Sequence, residues 1–336
     1  LPSVLFLTWS RNQPSTRYRV HQYLEGLSYD GFDVEVFLSG GLTLGRRYEL
    51  LKRARAADVV YVQKKLFNRA FLPLLARANP NLLYDFDDAG FAVEPWETKP
   101  RGMAPGSPPT IKRLNAVLKR ARGVVAGNEF LASYASQYNG AVHVLPTPVD
   151  TGGASPADAG GAVGTGRIGW LGTSKNLFYL KRIGPALGGI RRAFPDARLS
   201  VLSNAEADID GITVENVPWS PQREAEWLRS IDVGIMPLEN DDWSRGKCAF
   251  KLLQYMAAGL PTVSSPVGMN AEVIEDGVNG MLAATEEQWS RKIVSLLESP
   301  GLRKEMGAKA RRTVEQKYSL EVCRRRMEEI LRWASG

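Results

Sequence analysis

Twice along this chain, short runs rich in Val, Ile, Leu, Phe and Tyr alternate with segments of helical periodicity, and that alternation constrains the fold more than any other feature. In the first pass the apolar runs are "SVLFLT" (3–8), "FDVEVFL" (32–38), "DVVYVQ" (58–63), "LLYDF" (82–86), "GVVAG" (123–127) and "AVHVLP" (141–146). Helical segments near 17–29, 46–55, up to 78, 110–121 and 129–138 separate them. Continuous apolar runs, rather than apolar–polar alternation, are what strands need when helices cover both faces of a parallel sheet.

"TPVDTGGASPADAGGAVGTG" (147–166) then interrupts the pattern with Gly, Ala, Pro and Ser and almost no large apolar side chain, which reads as a linker or exposed loop. The alternation restarts with "RIGWLG" (167–172), a helix near 177–194, "RLSVLS" (198–203), "ITVENV" (212–217), a helix near 221–230 and "DVGIMPL" (232–238). "PTVSS" (261–265), "GMLA" (280–283) and three helical segments complete the chain. The expectation is an α/β protein of two doubly wound parallel-sheet domains in series, over 1–148 and 149–318. A length of 336 residues at 44% hydrophobic content can bury two cores. "EPWETKPRGMAPGSPPT" (94–110) is a long Pro- and Gly-rich loop inside the first half and reads as a lid beside the cleft.

Composition narrows the function classes. No apolar stretch approaches the roughly 18–20 residues of a membrane span, and the start of the sequence lacks the pattern of a signal peptide, so a cytoplasmic protein is expected. Two cysteines, Cys248 and Cys323, form no CxxC pair, and two histidines, His21 and His143, are too few for a His-rich metal centre, so no metal site is expected. The net charge of +7 favours a phosphate-bearing ligand or an anionic membrane surface. Basic residues concentrate in "RRYELLKRAR" (46–55) and "IKRLNAVLKRAR" (111–122), which read either as solvated helix faces or as a peripheral membrane contact. No nucleic-acid partner is expected.

Open parallel sheets bind ligands at the C-terminal ends of their strands, where loops lead into helix N-termini. "GWLGTSKN" (169–176) is such a turn: Gly172 lets a phosphate approach the backbone, Thr173 and Ser174 donate hydrogen bonds, and Lys175 brings charge. It is neither a dinucleotide fingerprint nor a P-loop. In "RGKCAFKLLQYMAAGLP" (245–261) a helix over 250–258 stops at Gly259 before Pro261, and Lys247, Lys251 and Gln254 gather near its start, which suits a diphosphate. Asp85, Asp87 and Asp88 follow an apolar strand; they can position hydroxyls, act as a base, bind a divalent ion, or cap a helix. Trp219 and Trp227 can stack on a base or sugar, or pack in the core.

The segment from Val233 to Tyr318, centred on "FKLLQYMAAGLPTVSSPVGMNAEVIEDGVNGMLA" and closed by "RKEMGAKARRTVEQKYS", resembles the donor-binding domain of glycosyltransferase family 4, the retaining group 1 enzymes of the GT-B fold. "VLPTPVD" (144–150), "WLGTSKNLFYL" and, near the N-terminus, "QPSTRYRVHQYLEGL" (13–27) fit the same plan. The resemblance implies two Rossmann-like domains facing a central cleft: an N-terminal acceptor side (1–148), on which a final helix (319–336) packs back, and a C-terminal donor side (149–318). It places Gly172, Thr173, Lys175, Asn176, Asp242, Gly246, Gln254 and Gly268 at the donor, and Arg17, Arg19, Asp85 and Asp88 on the acceptor side.

Two glutamates eight positions apart usually hold the donor in this family, and here those positions are Gly246 and Gln254. Gln254 can still accept hydrogen bonds from the ribose, without charge assistance. Gly246 offers only backbone, so Glu239, Asp241 or Asp242 in the preceding loop is expected to reach the sugar, with Asp242 preferred. The catalytic residues implied are Lys247 and Lys251, which stabilise the leaving diphosphate, and Asp87 on the acceptor side. A nucleotide diphosphate-sugar is then the substrate, a glycan or lipid-linked molecule the acceptor, and neither a tightly bound cofactor nor a divalent metal is required. The missing glutamates also admit an inactive nucleotide-sugar-binding protein, and the fold admits a sugar-nucleotide epimerase.

Overall fold

The computed structural model describes residues 1–11, 13–152 and 166–336; most of the expected linker lies outside the described residues. The described residues fall into two compact units. One comprises Leu1–Pro148, Asp241–Cys248 and Leu320–Gly336, the other Val149–Asn240 and Ala249–Ser319.

In the first unit six parallel strands, β1 (Ser3–Thr8), β2 (Asp33–Leu38), β3 (Val59–Gln63), β4 (Leu82–Phe86), β5 (Gly123–Ala126) and β6 (Val142–Val144), lie in the order β2-β1-β3-β4-β5-β6. The second unit repeats the plan with β7 (Arg167–Gly172), β8 (Arg198–Ser203), β9 (Thr213–Pro218), β10 (Val233–Met236), β11 (Thr262–Ser264) and β12 (Met281–Leu282), ordered β12-β11-β10-β7-β8-β9. Both are doubly wound sheets of the Rossmann-like kind, as the alternation demands. Central strands such as "VVYVQ" and "LLYDF" are buried throughout because helices cover both faces, whereas β2 and β9 at the edges are largely open.

The strand order reverses between β1 and β3 in the first sheet and between β7 and β10 in the second. At such a switch point the connections leave to opposite faces and open a crevice beyond the strand ends. Lys64 follows β3, and Gly172 ends β7.

Local chemistry sets the helix boundaries. Ser107–Pro108, Ser220–Pro221 and Ser299–Pro300 each place a serine at the N-cap and proline at the first helical position, with the hydroxyls accepting from the N–H groups of Thr110, Arg223 and Leu302. The single helix expected near 177–194 is two, Leu177–Arg182 and Gly184–Ala193. Pro185 has no N–H to give and its ring would strike the carbonyl of Lys181 in a continuous helix. One core packs Phe6, Tyr23, Leu27, Tyr61 and Leu83 against Cys323, Met327 and Leu331 of the terminal helix Leu320–Ser335. The other packs Ile168, Trp170, Leu187, Leu199, Ile235 and Ile293.

Candidate functional site

In the first unit the acids at the C-terminal end of β4 separate into two roles. Asp85 is fully buried, as is Arg19. Arg19 Nε meets both Asp85 oxygens at 3.0 and 2.9 Å, its Nη2 also donates to Asp85, and Nη1 donates to Leu145 O (3.0 Å) and Thr147 Oγ1 (3.1 Å). Burial pushes the Asp85 carboxyl up against the opposing pull of Arg19. The expected acceptor-side role of Arg19 and Asp85 is therefore corrected: every group that could meet a ligand is spent tying the Pro14–Tyr29 helical run to β4 and to the chain after β6. Arg17 is exposed, its guanidinium lying 5.0 Å from the Tyr18 ring centroid.

Asp87 and Asp88 point to a different partner. Lys64, which sequence reasoning missed, has a left-handed backbone (φ 55°) and brings its ammonium to 2.9 Å from Asp87 Oδ1 and into contact with Asp88. Burial alone would raise Asp87, but Lys64 and, further off, Arg19 outweigh it and hold the carboxyl below its ordinary range. The same two acids outweigh the desolvation of Lys64 and hold it above its own. Neither acid caps a helix, since the next one begins at Pro108. Asp87 is thus a fixed anion of low basicity, suited to accepting a hydrogen bond rather than taking a proton. Among the described residues no group of three His, Cys, Asp or Glu side chains could hold a metal ion.

Asp241–Cys248, which chain continuity would leave with the second unit, belongs to this first one. It forms a one-turn helix, Asp242–Arg245, capped by Asp241 Oδ1, which accepts from Ser244 N at 2.7 Å. Asn128, also missed, donates to the carbonyls of Arg245 (3.1 Å) and Lys247 (3.0 Å), while the Cys248 thiol donates to Asp87 O at 3.3 Å. Asp242 is exposed and paired with Arg245 at 3.4 Å, and Glu239 is engaged by Arg182 at 2.8 Å in the second unit. Lys247 is lowered by burial, opposed by Asp88, Glu94 and Asp241, and its ammonium lies 5.3 Å from the Trp243 ring centroid. It belongs with the first unit, whereas Lys251 belongs with the second.

Gly246, where the resemblance expects a sugar-contacting glutamate, is closed by packing. A Cβ built on Gly246 would stand 2.4 Å from Ala89 Cβ and 2.8 Å from Ala89 N. Any side chain there must displace the backbone of the loop that carries Asp87 and Asp88. Restoring the family residue with Gly246→Glu is expected to destabilise the first unit by about 1–3 kcal/mol, the usual cost of overpacking. A urea-denaturation midpoint unchanged from wild type would contradict this packing.

In the second unit, β7 ends at Gly172 and runs through Thr173 into a single 3₁₀ turn, Ser174–Asn176, and the six-residue helix Leu177–Arg182. Asn176 Nδ2 donates to Thr173 Oγ1 at 3.0 Å, the Ser174 N–H is held by Asn204 Oδ1 at 2.8 Å, and Lys175 is exposed. The helix Phe250–Ala257 starts after Ala249 (φ 49°) and carries both Lys251 and Gln254. The Lys251 ammonium lies 4.7 Å from the Trp170 ring centroid and beside the turn: a Cβ on Gly172 would be 2.7 Å from Lys251 Nζ and 2.2 Å from the Trp170 ring. Gly172 is therefore required sterically, and its lack of a side chain leaves the ammonium next to open backbone. Gln254 is buried to 8% exposure and donates to Glu224 Oε1 at 2.5 Å. Gly268 (φ 52°) follows β11 and starts the helix Met269–Val273. Trp227 is a core residue whose indole N–H bonds Ser200 Oγ at 2.9 Å; Trp219 is 42% exposed.

Comparison with known proteins bears on this second unit most directly. Residues 165–299 match the family described as glycosyl transferases group 1. The D-inositol 3-phosphate glycosyltransferase of Pseudarthrobacter chlorophenolicus is 24% identical over 206 residues, 54% of this chain and 48% of that protein. Its counterpart in Arthrobacter sp. (strain FB24) is 28% identical over 106 residues, 31% of this chain and 24% of that protein. The chain thus spans half or less of the length of these curated relatives. Among solved structures, sucrose-phosphate synthase from Thermosynechococcus elongatus superposes with a TM-score of 0.73 at 12% identity, covering 99% of both chains. Anabaena HepE, solved in complex with UDP and glucose, gives 0.71 at 15% identity, covering 99% of this chain and 100% of that one. Two six-stranded parallel sheets shared over nearly the whole length are the GT-B plan, and residues 165–299, most of the second unit, are similar to the group 1 glycosyl transferases.

Proposed function

We propose that the chain is a retaining glycosyltransferase that moves a sugar from a nucleotide diphosphate-sugar to an acceptor hydroxyl in glycan or glycolipid assembly. The observation that carries this reading is the meeting of the Lys251 ammonium with the bare backbone of Gly172, inside the region that matches the family. Breaking a nucleotide-sugar bond leaves negative charge on the diphosphate, and a fixed cation aimed at it lowers the barrier more than it favours the substrate. Lys175, Thr173 and Asn176 stand on the same turn and take the second phosphate in this reading, with Gly268 after β11, two strands away in the same sheet. The acceptor oxygen bonds the anomeric carbon on the face from which the diphosphate oxygen departs, and the acceptor proton passes to that oxygen. No strong base is needed, which suits the low basicity of Asp87; Asp87 and Asp88 orient the acceptor, with Lys64 and Lys247 fixing the acids around them.

The test is release of nucleoside diphosphate from a panel of nucleotide-sugars, UDP-glucose included, with and without sugar and lipid acceptors. Binding of a nucleotide-sugar without release under any condition overturns the transferase in favour of an inactive binder. Conversion of the sugar without acceptor identifies an epimerase.

Peripheral contact with an anionic membrane belongs to the same proposal. The helix Leu44–Ala56 leaves Leu44 (83%) and Tyr48 (70%) exposed, with Lys52 and Arg55 exposed along the same helix. Apolar side chains beside cations suit an anionic interface. Co-sedimentation with phosphatidylserine vesicles is expected at low salt and should fall as salt rises; no binding at low salt removes the contact.

A further inference from the structure

Glu224 belongs to none of the motifs in the sequence, yet the fold fixes it from two sides. It lies in the helix Pro221–Ser230, just after the Ser220 cap. Its Oε2 accepts the indole N–H of Trp219 at 2.8 Å and its Oε1 accepts an amide N–H of Gln254 at 2.5 Å. A carboxylate only accepts, so this contact sets the Gln254 amide with its nitrogen toward Glu224 and its carbonyl oxygen free to face elsewhere. Glu224 and Gln254 both line a pocket of about 170 Å³ whose other walls include Val149, Asp150, Leu228 and Ala257.

The pairing explains the glutamine. A glutamate at 254 would bring a second carboxylate to hydrogen-bond distance of Glu224, and two carboxylates that close repel each other. Glutamine turns the repulsion into a hydrogen bond. The carboxylate of this pair stands on the helix Pro221–Ser230 and the amide on the helix Phe250–Ala257, within one pocket. Two of the four or so acceptor sites on the Glu224 carboxylate are used by Trp219 and Gln254, which leaves two for hydroxyl donors.

We propose that Glu224 reads the ribose of the donor nucleotide, accepting hydrogen bonds from its hydroxyl groups while Gln254 supplies the adjoining carbonyl and Trp219 clamps the carboxylate. The assignment rests on the reading of the chain as a nucleotide-sugar enzyme and names a residue for its donor specificity. It makes Glu224, not Gln254, the group whose charge discriminates a ribonucleotide from a deoxyribonucleotide.

Isothermal titration of the intact protein with UDP, GDP and ADP, each beside its 2′-deoxy counterpart, tests it. Wild type is expected to favour the ribonucleotide by about 10–100-fold, the worth of a hydrogen bond to a charged group. Glu224→Gln should bring that ratio close to one with the affinity for the deoxynucleotide unchanged, and the swap Glu224→Gln with Gln254→Glu should restore most of it. A wild-type ratio retained by Glu224→Gln overturns the assignment, and so does an equal loss for both nucleotides. Failure of wild type to bind any nucleoside diphosphate overturns the nucleotide-sugar reading and this assignment with it, whereas nucleotide binding that is indifferent to Glu224 overturns this assignment alone.

Discussion

Lys251→Ala is expected to lower kcat for nucleoside diphosphate release by about 10²–10³-fold, the scale on which a single preorganised charge-stabilising group contributes to a transition state. The ammonium sits beside the Gly172 backbone and over Trp170, so its charge is held in place before any ligand arrives. In the proposed transfer, charge that builds on the leaving diphosphate would meet a group needing no reorganisation, and the benefit is expected in kcat more than in KM. Lys251→Arg keeps the charge but puts a planar fork where a compact ammonium fits beside Gly172, and an intermediate rate is expected. Rates are compared below the thermal midpoint of both proteins, so that the loss is read on folded protein. A Lys251→Ala enzyme with wild-type kcat and raised KM would show that the lysine binds the substrate and its transition state equally, and would remove it from the catalytic step.

Arg19→Met is expected to cost the first unit about 3–5 kcal/mol, because it leaves the buried Asp85 carboxyl without its cation. The expected signature is early hydrogen exchange across β4 together with a lower urea midpoint. The pH dependence has a definite sign. With Arg19 gone, the burial that pushes Asp85 up is opposed only by the smaller pull of Tyr61, so the folded state holds its proton to higher pH than the unfolded chain does. Stability of the variant therefore rises as pH falls through that raised value, and its deficit against wild type is smaller near about pH 4 than at neutral pH. Replacing both partners with apolar residues, Arg19→Met with Asp85→Leu, should recover a large part of the loss. Equal deficits at acid and neutral pH would contradict a charge left buried at Asp85.

Which parts of the site could be read from the sequence follows from how far apart the contacting residues lie. The helix Phe250–Ala257, its stop before Gly259 and the turn after β7 were legible because their signals are a few residues long: a positive-φ glycine, a proline, a short run of hydrogen-bonding side chains. Lys64 was missed although it directly follows β3, because only the strand order marks that strand end as a switch point. Glu224 and Gln254 are 30 positions apart and Arg19 and Asp85 are 66 apart, distances over which periodicity and propensity carry no signal. The expectation that an acid of the loop before Gly246 replaces the missing glutamate drew on proximity along the chain. Asp241 instead caps a helical turn, Asp242 pairs with Arg245, and Glu239 is engaged by Arg182.

By itself the sequence determined the two parallel sheets, the serine–proline helix starts and the family resemblance of the second half, because apolar runs and capping residues act within a few positions of themselves. Only the tertiary structure decided that Gly246 is filled by Ala89, that Arg19 and Asp85 are spent on each other, and that the carboxylate beside Gln254 comes from another helix. Those outcomes depend on which groups the packed strands and helices bring within a hydrogen bond of one another, and that proximity exists only once both sheets are formed.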